Sequence, residues 1–426
     1  MTCTDANMAR PHDPSRSSGS ATTIKPREPR PYLNGPCIVE SIGSSPQRAV
    51  RATPGVSSAR RWRGAISGRA GRTPVDPGDG KLTILPFEKL TRATQRKKLR
   101  SLAFDCLECH GVIAGDIRLL QFEDNAVYLV EAGDARYVLR MSVRDGRSPQ
   151  EQCSELEWME SLIAEKAIIA PKPVYARPDR KVSVHARPGW PEAVTTAMFE
   201  WIPGKVSPGS LNGRMAEELG RVTAKLHEHA MNYRAPADFS RPEWGHAEIF
   251  DHGAAALSPL ARERLSAAEQ ALLAQVREAV RDRLPERTAA EWGLIHADLH
   301  RGNIVVTPEG DVAVIDFDDC GPGYYMLDVA TVLSSFLRSC KAADYPEFAA
   351  SYSRGYRSVR DFPSSAGLLN EFLVMRDTII LNFILGSANQ AVMEWGPARA
   401  KGILGLMRDY LNTGRYPGYL NLAHIS

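Results

Sequence analysis

Hydrophobic positions divide this chain into three unequal parts. Residues 1–80 show almost no apolar periodicity and are dense in Pro, Gly, Ser and Arg. Such a segment buries too little apolar surface to offset the entropy of ordering it, so a disordered tail is expected there. The folded chain is expected to begin near Leu82-Thr-Ile-Leu-Pro86. Thr91–Cys109 then repeats at helical spacing, with Leu99, Leu102, Ala103, Cys106 and Leu107 on one face. Three short apolar runs follow at 118–122, 126–131 and 135–141. The polar turns Glu123-Asp-Asn125 and Gly133-Asp134 divide them, which predicts an antiparallel meander. A helix from Pro149 to Glu165 turns Leu156, Met159, Leu162 and Ile163 inward. At about 100° per residue Glu155 borders that face and Glu157 points away from it. Strands are expected within 173–184 and at 194–199. From residue 216 onward the period is helical, over 216–229, 266–284, 327–340 and 368–411, interrupted by a β hairpin expected at 293–316.

The predicted organisation is a tail (1–80), a β-rich lobe (81–200) and a mainly helical lobe (201–426), an α+β arrangement with a cleft between the lobes. A chain of 426 residues with 43% hydrophobic content can bury a substantial core. The net charge of +3 is unevenly placed. Residues 1–80 carry twelve Lys/Arg against six Asp/Glu, so the remainder is net negative and no nucleic-acid partner is expected. No run approaches the roughly 18 apolar residues that span a membrane, and no apolar segment of a secretory signal opens the chain. Seven scattered cysteines suit reduced thiols, hence a cytoplasmic protein.

Candidate chemistry concentrates in His296-Ala-Asp-Leu-His-Arg-Gly-Asn303, which lies between the apolar runs 292–295 and 304–306. A further run, Val312–Ile315, ends in Asp316-Phe-Asp-Asp319. Phosphoryl transfer needs one carboxylate to orient the attacking hydroxyl, with an amide and a second carboxylate to hold Mg²⁺ on the phosphates. The pattern H-x-D-x-x-x-x-N, followed by an Asp at the end of an apolar strand, supplies Asp298, Asn303 and Asp316 in those roles. A turn alone explains one capping Asp or Asn. It does not explain two such clusters in this order.

These motifs resemble the aminoglycoside phosphotransferase and choline kinase-like superfamily. So do Asp124-Asn-Ala-Val-Tyr128, Arg136-Tyr-Val-Leu-Arg140 and Asp316-Phe-Asp-Asp-Cys-Gly321. Within it the chain is most similar to the branch holding type II homoserine kinases and bacterial stress-response Ser/Thr kinases. The resemblance spans about residues 82–415. It implies a bilobal protein-kinase-like fold, with a small antiparallel N-lobe for the nucleotide and a larger helical C-lobe for the chemistry. It implies ATP and Mg²⁺, with Asp298 as the catalytic carboxylate and Asn303 and Asp316 as metal ligands. It also implies Asp318 at a second metal, and His296 and Asp328 as supports of the catalytic loop, with His300 beside it. Asp328 is in addition expected to cap the helix it opens.

Two departures from protein kinases stand out. No G-x-G-x-x-G precedes the second strand, so the turn ending at Asn125 is expected to cover the phosphates. Arg140 stands where a Lys is usual, and is expected to fork onto the phosphates with Glu155 as its ion-pair partner. Backbone near Glu200, at the lobe junction, is expected to meet the adenine. Five acidic groups, Asp298, Asp316, Asp318, Asp319 and Glu200, favour an amine-bearing small-molecule hydroxyl acceptor. A protein Ser/Thr side chain and a nucleotide-binding scaffold without activity are the alternatives.

Two motifs mislead. Cys106-Leu-Glu-Cys109-His110 matches a haem-attachment pattern, but no export signal accompanies it and no haem is expected. His227 and His229 are two residues apart on a helix, where a zinc pair needs four. A buried His227 and an exposed His229 are expected.

A chain beginning at Gly80 is expected to melt at the full-length temperature and keep full turnover. Calorimetry and an activity assay check this, and an unfolded shortened chain would contradict it.

Overall fold

A computed structural model describes residues 85–416, except 123–124, 145, 178–179, 191–192, 208–210, 254, 342 and 388. The tail expected at 1–80 and the turn residues Glu123 and Asp124 lie outside the described residues.

Helix α1 (Arg92–Cys109) is started by Thr91, whose hydroxyl accepts the Thr94 N–H. Strands β1 (Asp116–Phe122), β2 (Asn125–Ala132) and β3 (Ala135–Ser142) form the expected meander. Its second turn is set by Gly133 at φ 61°, a left-handed conformation that costs glycine little. Helix α2 (Pro149–Ala164) opens with a capping box between Ser148 and Glu151 and has Pro149 in its first turn. Then come β4 (Pro173–Val174), β5 (Ser183–His185) and β6 (Val194–Glu200). The sheet runs β1-β2-β3-β6-β4, with β5 also on β6. Phe87, Leu99, Leu102, Tyr128, Leu139 and Met198 belong to the core of this lobe.

Helix α2 is held by the larger lobe as well. Trp158 is fully buried and meets Phe317 edge-on at 5.7 Å. The Trp158 indole N–H donates to His229 Nδ1 (3.2 Å), and His229 Nε2 reaches Ser161 Oγ (3.0 Å). His229 is therefore buried, against the expectation of exposure. The helix that carries it, α3 (Gly213–Asn232), is covered on two sides, so both i and i+2 face protein.

The larger lobe continues with β7 (Lys205–Val206), which precedes α3, then α4 (Pro259–Glu263) and α5 (Ala267–Arg281). Next are β8 (Trp292–Ile295), β9 (Ile304–Val306), β10 (Val312–Val314) and β11 (Gly321–Tyr324). Helices α6 (Tyr325–Ser339), α7 (Tyr345–Arg357), α8 (Leu369–Gly386) and α9 (Gln390–Thr413) complete it. Three expectations are corrected here. The β signal at 293–316 is not one hairpin: β9 pairs with β10, whereas β8 pairs with β11, beyond the acidic tip. The helix expected over 368–411 is two, because Ser387 turns extended (ψ 135°) after α8. Asp328 does not cap α6, which starts at Tyr325 and leaves Asp328 buried within its first turn.

Helices α3 and α7 approach closely through glycines. A methyl group on Gly220 would run into the Tyr352 carbonyl, and one on Gly355 into the Glu217 carbonyl. Gly220→Ala is expected to cost about 1–3 kcal/mol through overpacking. Urea denaturation measures this, and an unchanged midpoint would show that the helices separate freely.

Candidate active site

The site is built on the segment between β8 and β9. The Asp328 carboxylate accepts the N–H of His296 (2.8 Å) and of Ala297 (2.8 Å). Ala297 has φ 64°, a left-handed conformation unfavourable for a residue with a side chain, and Asp328 holds it there. Behind Asp328 lies His227, with Nε2 at 3.4 Å from the carboxylate and Nδ1 at 2.9 Å from the Tyr356 hydroxyl. Burial pushes the His227 imidazole below its ordinary pKa, so it is the neutral form that bridges the two. His296, also buried, reaches Ile315 O (3.1 Å), and Ile315 N–H donates to Asn303 O (2.9 Å). The catalytic loop and the strand leading to Asp316 are thereby tied together.

Asp298 is 23% exposed. Burial alone would raise its carboxyl pKa, but His300 Nε2 at 3.3 Å and the Arg376 guanidinium at 2.5 Å hold it well below the usual range. Asn303 uses its Nδ2 on Asp298, at 3.0 Å from the backbone O and 3.2 Å from Oδ2, which leaves its amide oxygen for another partner. Asp316, at φ 64°, presents a side chain that is 47% exposed. Desolvation and the adjacent Asp318 carboxylate lift its carboxyl to about 7, against the pull of Arg140. With half the side chain in contact with solvent, repulsion from Asp318 is the firmer of those two causes.

Arg140 is buried against α2, and Glu155 is fully buried rather than bordering its helix face. The pair is bidentate, with Nη1 to Oε1 at 2.8 Å and Nη2 to Oε2 at 2.6 Å. The guanidinium fork is thus engaged by Glu155, and its remaining charge faces Asp318 (3.5 Å) and Asp316 (3.9 Å). Asn125 donates from Nδ2 to Asp318 Oδ2 (2.9 Å) and so links the nucleotide-side turn to the acidic tip. The Glu200 side chain is exposed beside Lys172 (3.5 Å). Its backbone N–H donates to Lys172 O and that of Trp201 to Arg136 O, so those two amides are not open to an adenine.

Three arginines at the site carried no motif. Arg147 donates to Asp318 O (3.1 Å) and Asp319 Oδ1 (2.6 Å). Arg241 donates to the carbonyls of Cys320 (2.6 Å), Glu151 (2.9 Å), Phe317 and Asp318, fastening the acidic tip to α2. Arg376 is the partner of Asp298. For Arg376 a signal existed: Arg376-Asp377 interrupts the apolar helix segment Phe372–Ile380.

Among the described residues, no group of three or more His, Cys, Asp or Glu is arranged to hold a metal by itself. The donor set nonetheless fits a hard divalent cation. The Asn303 amide oxygen and the Asp316 carboxylate are both oxygen donors, and such a cation takes one or two carboxylates together with phosphate oxygens. Asp318 Oδ1 is buried without a hydrogen bond, 3.5 Å from the Arg140 guanidinium and beside the raised Asp316.

The phosphotransferase enzyme family model matches residues 117–365. An amicoumacin kinase of Bacillus subtilis (strain 168) is 26% identical over 288 residues, covering 65% of this chain and 81% of that protein. A solved microcompartment-associated aminopropanol kinase superposes with a TM-score of 0.63 at 30% identity, over 76% of this chain and 99% of that one. An amicoumacin kinase in complex with AMP-PNP, Ca²⁺ and Ami shares the fold with a TM-score of 0.63 at 20% identity, over 77% and 97%. No helix among the described residues is long and apolar enough to cross a membrane. With a matching family model over more than half its length and a kinase-like fold, this chain belongs to the phosphotransferase enzyme family and is an ATP-dependent kinase that phosphorylates a hydroxyl group of a small molecule.

Proposed function

We propose that the protein transfers the γ-phosphoryl group of ATP, with Mg²⁺, to the hydroxyl of a small amine-bearing acceptor. The observation that carries the reading is the hydrogen-bonded unit of Asp298 and Asn303, joined through Ile315 to Asp316. That unit brings an orienting carboxylate beside two oxygen donors for a cation. The cation, held by Asn303 and Asp316, supplies charge neutralisation on the phosphates.

This chain's own residues do the rest. The Asp298 carboxylate stays ionised at neutral pH because His300 and Arg376 stabilise its charge. So weak a base acts chiefly by orientation: it accepts the acceptor's O–H and aligns the oxygen for in-line attack. The new oxygen–phosphorus bond forms as the β–γ bridging bond breaks and its electron pair leaves with ADP. The hydroxyl proton passes to the carboxylate late in that displacement and then to solvent. Arg140, fixed by Glu155, places one positive charge beside Asp316 and Asp318.

The amine on the acceptor is supported by the solved aminopropanol kinase, whose named substrate carries one. The acidity counted from the sequence supports it less. Asp318 and Asp319 are matched by Arg140 and Arg147, Glu200 by Lys172 and Asp298 by Arg376. ADP release with ATP and Mg²⁺ over a panel of amino alcohols, aminoglycosides and peptides tests the reading. Turnover of peptides alone would overturn it.

Asp298→Ala is expected to lower turnover by about 10²–10⁴ while nucleotide still binds. Turnover within threefold of the unaltered protein would remove Asp298 from the mechanism. Asp316→Asn is expected to weaken nucleotide binding in Mg²⁺ more than in EDTA, because the cation loses a charged ligand. Equal weakening in both would rule out a metal role.

Glu155→Ala strands a buried guanidinium and is expected to cost about 3–5 kcal/mol of stability. It is also expected to raise the apparent KM for ATP. Its effect on Arg140→Ala should be smaller than on the unaltered protein, since the two act as one unit. Glu157→Ala is the control, with only the partly exposed Lys181 as partner, and should change stability by less than about 1 kcal/mol. Chemical denaturation and steady-state kinetics read both, and additive effects would separate Arg140 from Glu155.

A further inference from the structure

The sheet of the smaller lobe ends at the edge strand β1, and α1 places three arginines beside it at successive helical turns. Arg92 donates from Nη2 to Phe122 O (3.0 Å), and Arg100 from Nη1 to Ile117 O (2.5 Å). Arg96 lies between them and makes no hydrogen bond or ion pair with any described residue. Arg100 has one carboxylate nearby, Asp116 at 3.6 Å. Both side chains of that pair are exposed, so it holds Arg100 only weakly.

The strand is irregular at the same place. Leu119 lies opposite Tyr128 and Gln121 opposite Val127, so Leu120 is an extra residue and β1 bulges there. Beside the bulge is a groove of about 310 Å³ between α1 and β1, walled by Arg96, Arg100, Leu119, Leu120 and Phe122. That volume is at the lower end of small-molecule pockets. Among the described residues no carboxylate lines it.

Tyr128 of β2 closes the groove from behind. It is 2% exposed, and its hydroxyl has no hydrogen-bond partner among the described residues. Leaving a buried hydroxyl unpaired costs free energy that a ligand can recover. Burial pushes this phenol up to about 12, against the charges of Arg100 and Arg96, so at neutral pH it is a donor.

The geometry points to an accessory site in this groove for a small phosphomonoester, its phosphate on Arg96, Arg100 and the Tyr128 hydroxyl and its body against Leu119, Leu120 and Phe122. A phosphomonoester carries close to two negative charges at neutral pH, which the two guanidinium groups match. Donors from two turns of α1 and from β2 suit a tetrahedral group. A planar carboxylate is satisfied by a single guanidinium fork. None of these residues belongs to the unit of Asp298, Asn303 and Asp316, so the site stands independently of the proposed reaction.

Calorimetry on the full chain saturated with AMP-PNP and Mg²⁺ tests it, because the nucleotide site is then closed. Phenyl phosphate should bind with a Kd below about 1 mM, and phenol should not. Arg96→Gln should weaken binding by about tenfold or more, the scale of one charge-assisted hydrogen bond. Tyr128→Phe should weaken it severalfold without lowering the melting temperature, since it removes only an unpaired hydroxyl. Arg96→Lys, which keeps the charge, should retain part of the affinity.

The inference is overturned if phenyl phosphate does not bind. It is also overturned if Arg96→Gln and Tyr128→Phe both bind it as well as the unaltered protein, because the ester then sits elsewhere. Phosphatidylcholine vesicles containing phosphatidic acid present the same group on a lipid. Retention on them that depends on Arg96, with no binding of phenyl phosphate, would overturn the soluble ligand and give the groove to a membrane surface.

Discussion

A single buried carboxylate holds the catalytic loop in shape. Asp328 accepts two consecutive backbone N–H groups, from His296 and from the left-handed Ala297. A left-handed non-glycine residue carries about 1–3 kcal/mol of strain, and it persists only where its surroundings leave no alternative. A buried anion that would lose two charge-assisted bonds on release is such a constraint. The turn places the Asp298 side chain at the cleft, and Asn303 then bonds back to Asp298. The fixing extends outward through neutral His227 to Tyr356 on α7, so the α3–α7 packing supports the loop from behind.

The acidic tip follows a different logic. Asp316, Asp318 and Asp319 lie within four residues, and their mutual repulsion would open the turn if it were uncompensated. Arg140, Arg147 and Arg241 converge on them from β3, from the segment before α2 and from beyond α3. Arg241 makes no carboxylate pair there: it binds carbonyls of the tip and of α2 together. The helix carrying Glu155 and the loop carrying Asp316 are consequently one assembly, with Trp158 packed on Phe317 beneath them. Compensation is incomplete at Asp316, whose carboxyl stays high and half exposed, and burial keeps the Asp319 carboxyl raised as well, against the pull of Arg147.

Much of this was legible from residues alone. The meander, α1, α2 and the catalytic loop follow from local signals: alternation, capping residues and a fixed spacing of functional groups within eight positions. Glu155 was legible as the partner of Arg140, though periodicity placed it at an edge and packing buried it. His229 could not be read, because its burial depends on Trp158, seventy-one residues earlier in the chain. The split of 368–411 into α8 and α9 was hidden in a continuous apolar pattern, where one extended residue ends a helix without changing the period.

By itself the sequence determined what is local: the periods of its helices and strands, and the order Asp298, Asn303, Asp316 on which the proposed phosphoryl transfer rests. Beyond the pair of Arg140 and Glu155, tertiary structure decided which charges meet. Counted along the chain, the acidic residues of the cleft looked unopposed and argued for a cationic acceptor. Folding brings Arg147, Arg241 and Arg376 to them from positions 147, 241 and 376, and gathers Arg338 and Arg399 on Asp377. Electrostatic interaction depends on separation in space, over a few ångströms, and separation along the chain carries almost none of that information.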